Sequence, residues 1–141
     1  MSRKLNFVAL ICCLSVIVFS FVLIYADPSI VSLEGSIGSC DVYAQNQISE
    51  DRKHADATTT VVLHEVGTAS TSVTATFFYL GVSGDVLGTI GEYSGFGYGS
   101  NGCSYSKYTP NDNYRFYRAE SSHQASYQQG TFSVSNLINI P

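Results

Sequence analysis

The chain divides into two regimes of hydrophobic and polar patterning. Residues 5–26 are apolar or uncharged throughout, whereas from residue 27 onward apolar and polar positions alternate in short runs. Alternation with a period of two is the mark of half-buried strands. Over residues 36–46, Cys40, Val42 and Ala44 fall on one face and Ser39, Asp41 and Tyr43 on the other. Residues 58–65 are rich in β-branched side chains, which suit a pleated surface. Over 72–80, Val73, Ala75, Phe77 and Tyr79 oppose Thr74, Thr76 and Phe78. Further strands are expected over 86–93, 103–108, 114–120, 122–127 and 131–138. In the run 114–120 the period puts Tyr114, Phe116, Arg118 and Glu120 on one face.

The segments between these runs carry turn chemistry. Residues 47–56 are polar and charged, and 67–71 are small. Residues 81–85 join two alternating runs as a hairpin turn. Residues 94–104 hold Gly95, Gly97, Gly99 and Gly102 and read as a glycine-rich loop. Thr109-Pro110-Asn111-Asp112-Asn113 is a turn by composition, and Gln128–Gly130 turns the chain once more. Seven to eight short strands without a helical period predict an all-β fold. An antiparallel β-sandwich is the favoured architecture and a small barrel the alternative. An immunoglobulin signature lacks its middle term, because the sequence contains no Trp.

The first regime changes the picture of where the domain works. Arg3 and Lys4 flank the apolar run, and Ile24-Tyr25-Ala26 offers a cleavage site with a small residue at its end. Asp27-Pro28 then stops any continuing helix. The run from Phe7 to Ala26 is longer than a signal core needs and about long enough to span a bilayer. Residues 1–26 are therefore a signal peptide, the favoured reading, or a retained membrane anchor, with residues 27–141 as one exported β domain in either case. Any membrane contact is expected only through residues 5–26. Cys12 and Cys13 fit as small apolar members of that run.

With Arg3 and Lys4 set aside, the formal charge moves from −4 to −6. Such acidity lacks the basic footprint of nucleic-acid binding and disfavours anionic membrane surfaces. Residues 27–141 contain two cysteines, Cys40 and Cys103. In an oxidising compartment an even pair is expected to form a disulfide, closing a loop worth roughly 4 kcal/mol.

Candidate chemistry concentrates in residues 93–108. Tyr93, Phe96, Tyr98, Tyr105 and Tyr108 are interleaved with Gly, Ser and Asn, the materials of adaptable binding surfaces. They are the candidate binding residues, and the competing reading is that strand aromatics simply fill the core. A second cluster is Arg118, Glu120 and His123, able in principle to orient an anion or move a proton, though more simply an exposed ion pair beside a bystander histidine. His54, His64 and His123 have no metal-ligand spacing, and Asn111-Asp112-Asn113 supplies too few carboxylates for calcium. No GxSxG elbow is present. No catalytic residue, metal or cofactor is expected. The resulting expectation is a non-enzymatic secreted or cell-surface β domain that binds an extracellular protein or glycan or serves a structural or adhesive role, with self-association through a strand edge as a variant. The alternative is a secreted effector, such as a bacteriocin-like toxin or an inhibitor of an extracellular enzyme.

Overall fold

The computed structural model describes residues 29–81, 83–84, 86–98 and 101–141. The expected signal or anchor over 1–26 lies outside them. The described chain is all-β, with eight strands: β1 (Ile30–Ile37), β2 (Cys40–Ile48), β3 (His54–Leu63), β4 (Thr68–Leu80), β5 (Val86–Tyr98), β6 (Asn101–Tyr108), β7 (Arg115–Tyr127) and β8 (Gly130–Asn139). They form two antiparallel four-stranded sheets, ordered β1-β2-β3-β6 and β5-β4-β7-β8. Alternation explains the pairing. Val42, Ala44, Asn46 and Ile48 of β2 are buried, as are Ala55, Ala57, Thr59 and Val61 of β3, while the intervening residues are not.

The two inner faces meet in two apolar clusters. One gathers Ile48, Ala55 and Ala57 from the first sheet with Val73, Phe77, Phe116 and Ile138 from the second. The other joins Ile37, Val42 and Val61 to Ala69, Ala125 and Tyr127. Phe77 organises the first cluster, packing edge-on to Phe116 at 6.0 Å and stacking on Tyr105 at 5.6 Å. Both geometries suit the ring quadrupoles.

Several local features differ from the pattern read off the sequence. The run 36–46 is not one strand. Gly38, at φ 58°, turns the chain between β1 and β2, where Ile37 pairs with Cys40. The runs 114–120 and 122–127 are one strand, β7, with a bulge. Phe78 pairs with Arg118 and Tyr79 with Phe116, so Tyr117 is the extra residue. One extra residue reverses the facing of everything beyond it. Phe116 is therefore in the core while Arg118 and Glu120 share the opposite face.

The expected Cys40–Cys103 disulfide is absent, and both residues are buried free cysteines. The register gives the reason. Cys40 lies opposite Leu63 and Cys103 opposite Thr59, on the two sides of β3. They are offset about 13 Å along the strand and about 10 Å across it. A disulfide tolerates about 7 Å between Cα atoms.

Candidate functional site

The expected glycine-rich loop is mostly strand: Gly95 and Gly97 belong to β5 and Gly102 to β6. These glycines allow close approach across the sheets. A Cβ at Gly95 would lie 2.7 Å from the Gly102 carbonyl oxygen. The aromatic residues of this region are consequently dispersed. Phe96 stands on the outer face of β5, 77% exposed. Tyr93 lies on β5 and is exposed, opposite buried Val73. Tyr105 is half-buried over Gly91, stacked on Phe77. Tyr108 is exposed at the far end of β6, its ring 4.5 Å from that of His54. The backbone of Tyr98 pairs with Thr68. No single surface collects all of these rings.

What the fold does collect is the outer face of the β5-β4-β7-β8 sheet. Directly paired residues share a face, so the register generates a grid. Its rows run Phe96, Ser70, Ser126 and Thr131; then Ser94, Ser72, Gln124 and Ser133; then Glu92, Thr74, Ser122 and Ser135. The first two rows contain hydroxyls, one amide and one aromatic ring, with no charge. Two shallow grooves lie on this face. One, of about 420 Å³, is lined by Thr74, Thr76, Glu120, Ser122, Ser135 and Leu137. The other, of about 340 Å³, is lined by Ser70, Ser72, Ser94, Phe96, Gln124 and Ser126. Charge appears at the opposite end of the sheet. There Arg118 donates a short hydrogen bond to Glu120 and its guanidinium sits 5.4 Å above the Phe78 ring.

The second sequence cluster is split by the sheet. Arg118 and Glu120 are on the outer face, whereas His123 is fully buried on the inner one. His123 belongs instead to a polar belt between the two apolar clusters. Its Nδ1 lies 2.9 Å from Thr59 Oγ1 and its Nε2 2.5 Å from Ser121 Oγ. Ser121 Oγ donates to Asn46 Oδ1 at 2.6 Å, Asn46 Nδ2 donates to the Asn136 carbonyl at 3.4 Å, and Asn136 Nδ2 to the Ala44 carbonyl at 2.9 Å. The belt thus ties β2 and β3 to β7 and β8. Burial lowers the His123 pKa from its ordinary 6.5 to about 4, against the opposing effect of the Thr58 backbone. Two further buried polar atoms of this layer, Thr71 Oγ1 and Asn136 Oδ1, have no partner. Sequence parity is the signal that places His123 here: it shares it with Ala119, Ser121, Ala125 and Tyr127, all buried.

The remaining polar candidates are structural. His64 Nε2 meets Asp41 Oδ2 at 2.7 Å on the surface. Asn111 Oδ1 accepts from the Asn113 backbone at 2.9 Å, closing the expected turn, and Lys53 pairs with Asp112 at 3.2 Å. Among the described residues no three His, Cys, Asp or Glu side chains converge as a metal site.

No protein-family model matches the chain, and no curated protein matches it. Among solved structures, the solution structure of R. palustris CsgH is similar with a TM-score of 0.27 and 11% identity, over 76% of this chain and 88% of that one. The X-ray structure of the structural-genomics target SoR45 gives a TM-score of 0.29 and 13% identity, over 82% of this chain and 89% of that one. Both scores are too low to carry a fold or a function across.

Proposed function

We propose that the chain is a non-enzymatic, secreted or surface-displayed β-sandwich domain that captures an extracellular protein or glycan on the outer face of its β5-β4-β7-β8 sheet. The observation that carries this reading is the uncharged part of that face, where Ser70, Ser72, Gln124 and Ser126 surround a groove walled by the exposed ring of Phe96. Hydroxyl and amide groups at regular spacing satisfy a polar ligand without a charge requirement, and a fixed ring adds stacking area at low entropic cost. Export rests on the apolar run of residues 5–26 behind Arg3 and Lys4. His123, the histidine weighed for proton transfer, is buried in the core and takes no part in this face.

The test is capture by the purified chain on a glycan array and in extracellular-protein pull-downs. Phe96→Ala and Ser72→Lys should each lower capture at least tenfold with an unchanged circular dichroism spectrum. Full capture by the double variant would remove the face from consideration. Tyr105 is unsuitable as a probe, because its removal opens the core beside Phe77.

A further inference from the structure

Each sheet has two edges, and β1, β6, β5 and β8 occupy them. An edge strand exposes unpaired N–H and C=O groups, and proteins guard such strands with charge, brevity or proline. β1 carries Glu34, β6 Lys107 and β5 Glu92; β8, ten residues long, carries no charge and no proline. The phase of its pairing shows which groups are open. The Ile140 N–H donates to the Tyr117 carbonyl at 2.7 Å, and the register continues in steps of one to Tyr127 opposite Gly130. In an antiparallel ladder, hydrogen-bonded pairs alternate with non-bonded ones. Even-numbered residues of β8 therefore bond to β7. Thr131, Ser133, Ser135, Leu137 and Asn139 turn their N–H and C=O groups to the open side.

A second feature lies at the same border. β1 of the facing sheet runs beside β8, with the Phe132 ring seated over Gly35. Leu33 pairs with buried Ala44 and so faces inward, yet it remains 37% exposed at this border. Leu137, on β8 itself, is 55% exposed. Unpaired backbone and uncovered leucines thus share one side of the molecule.

We propose that β8 is a homotypic docking edge, joining a second copy of this chain in an antiparallel β8–β8 pair about a two-fold axis at Ser135. In that register Ser135 faces Ser135 of the partner subunit, Ser133 faces the partner's Leu137, and Thr131 faces the partner's Asn139. Every open backbone group of the strand is then bonded. No like charges meet along the seam, whereas a corresponding β5 pair centred on its middle residue would set Glu92 against its own copy. The joined sheet runs β5-β4-β7-β8 and then the same order reversed. Its outer face stays open, so the docking edge is independent of the capture reading.

The test uses the full chain purified in mild detergent. Sedimentation should show a dimer at tens of micromolar. Ser135→Lys, which opposes two ammonium groups on the axis, should return it to monomer. So should Ser135→Pro, which deletes an N–H on the open side and none bonded to β7. Ser135→Cys should link into a covalent dimer under mild oxidation, while Ser94→Cys on β5 and Ser122→Cys on central β7 should not. Circular dichroism identifies any variant that fails to fold, and Ser122→Lys serves as the surface-charge control that remains dimeric. A wild-type chain monomeric throughout, a dimer that survives folded Ser135→Lys and Ser135→Pro, or preferential linking through Ser94→Cys would each overturn the proposal.

Discussion

Ser121 Oγ and His123 Nε2, from residues two apart on β7, meet at 2.5 Å between the sheets. The contact favours one imidazole tautomer through a proton count. Ser121 has one hydroxyl hydrogen and two close neighbours, Asn46 Oδ1 at 2.6 Å and His123 Nε2. Its hydrogen goes to Asn46, an acceptor whose amide is oriented by the Asn136 carbonyl. Nε2 must then be the donor, since two lone pairs at that distance would repel. Nδ1 is left to accept from Thr59, whose single hydroxyl hydrogen then turns to the ring at 2.9 Å and away from the Ser72 carbonyl, 3.1 Å from the same oxygen. Nitrogen-15 shifts of the folded protein at pH 7 should report neutral His123 protonated on Nε2. A predominant Nδ1–H signal would reverse the donor order of the whole belt.

Acid should loosen this protein in a defined window. His123 has a folded pKa of about 4 against an ordinary 6.5. Between those values the unfolded chain binds the proton more strongly, so stability falls as pH falls through that range. The stabilisation is present above pH 6.5 and is lost by about pH 4, a change on the order of 3 kcal/mol. His123→Gln should be less stable at pH 7 and should flatten the slope between pH 6.5 and 4. Urea titrations across that range measure it. An equal slope in both proteins would assign the acid sensitivity to carboxylates.

The all-β class is legible in the sequence because β2, β3 and β4 bury alternate residues without interruption. Three features are not legible. β1 is an edge strand with only Ile37 fully buried, so it shows little contrast between its faces. The Tyr117 bulge is a shift of register against β4 that no local window contains, so period-two counting continues through it and turns Phe116 outward. The glycines of β5 and β6 read as loop residues, because their composition does not distinguish a turn from a place where two backbones approach. The candidate site divides similarly. Phe96 is recognisable as an exposed aromatic candidate, but the hydroxyl grid around it depends on four strands in register, a relation no local window contains.

The two buried thiols give a prediction that separates compartment from geometry. Export to an oxidising compartment favours disulfides, but Cys40 and Cys103 lie on opposite sides of β3 and are offset along it. Burial, with the nearby charges of Glu65 and Asp41, also raises the Cys40 pKa and suppresses its reactive thiolate. Iodoacetamide should leave both residues unlabelled in the native protein and label both after denaturation without reductant. Peptide mass mapping reads the outcome. Protection that persists in denaturant and yields only to reductant would demonstrate a bond and require a different register for β2 or β6.

Gly91 and Tyr105 should be energetically coupled. A Cβ at Gly91 would fall 2.0 Å from the Tyr105 ring, so Gly91→Ala forces the ring away from Phe77. Overpacking of this kind costs about 1–3 kcal/mol. If the ring is the whole obstacle, the cost must vanish when it is removed. In a Tyr105→Ala background Gly91→Ala should be neutral or slightly stabilising, because alanine restricts the unfolded chain more than glycine does. A double-mutant cycle by urea denaturation measures the coupling, expected at about 1–3 kcal/mol in favour of the double variant. Additive costs would mean that Gly91 is required by its own backbone conformation on edge strand β5, and that Tyr105 packs over it without depending on its missing side chain.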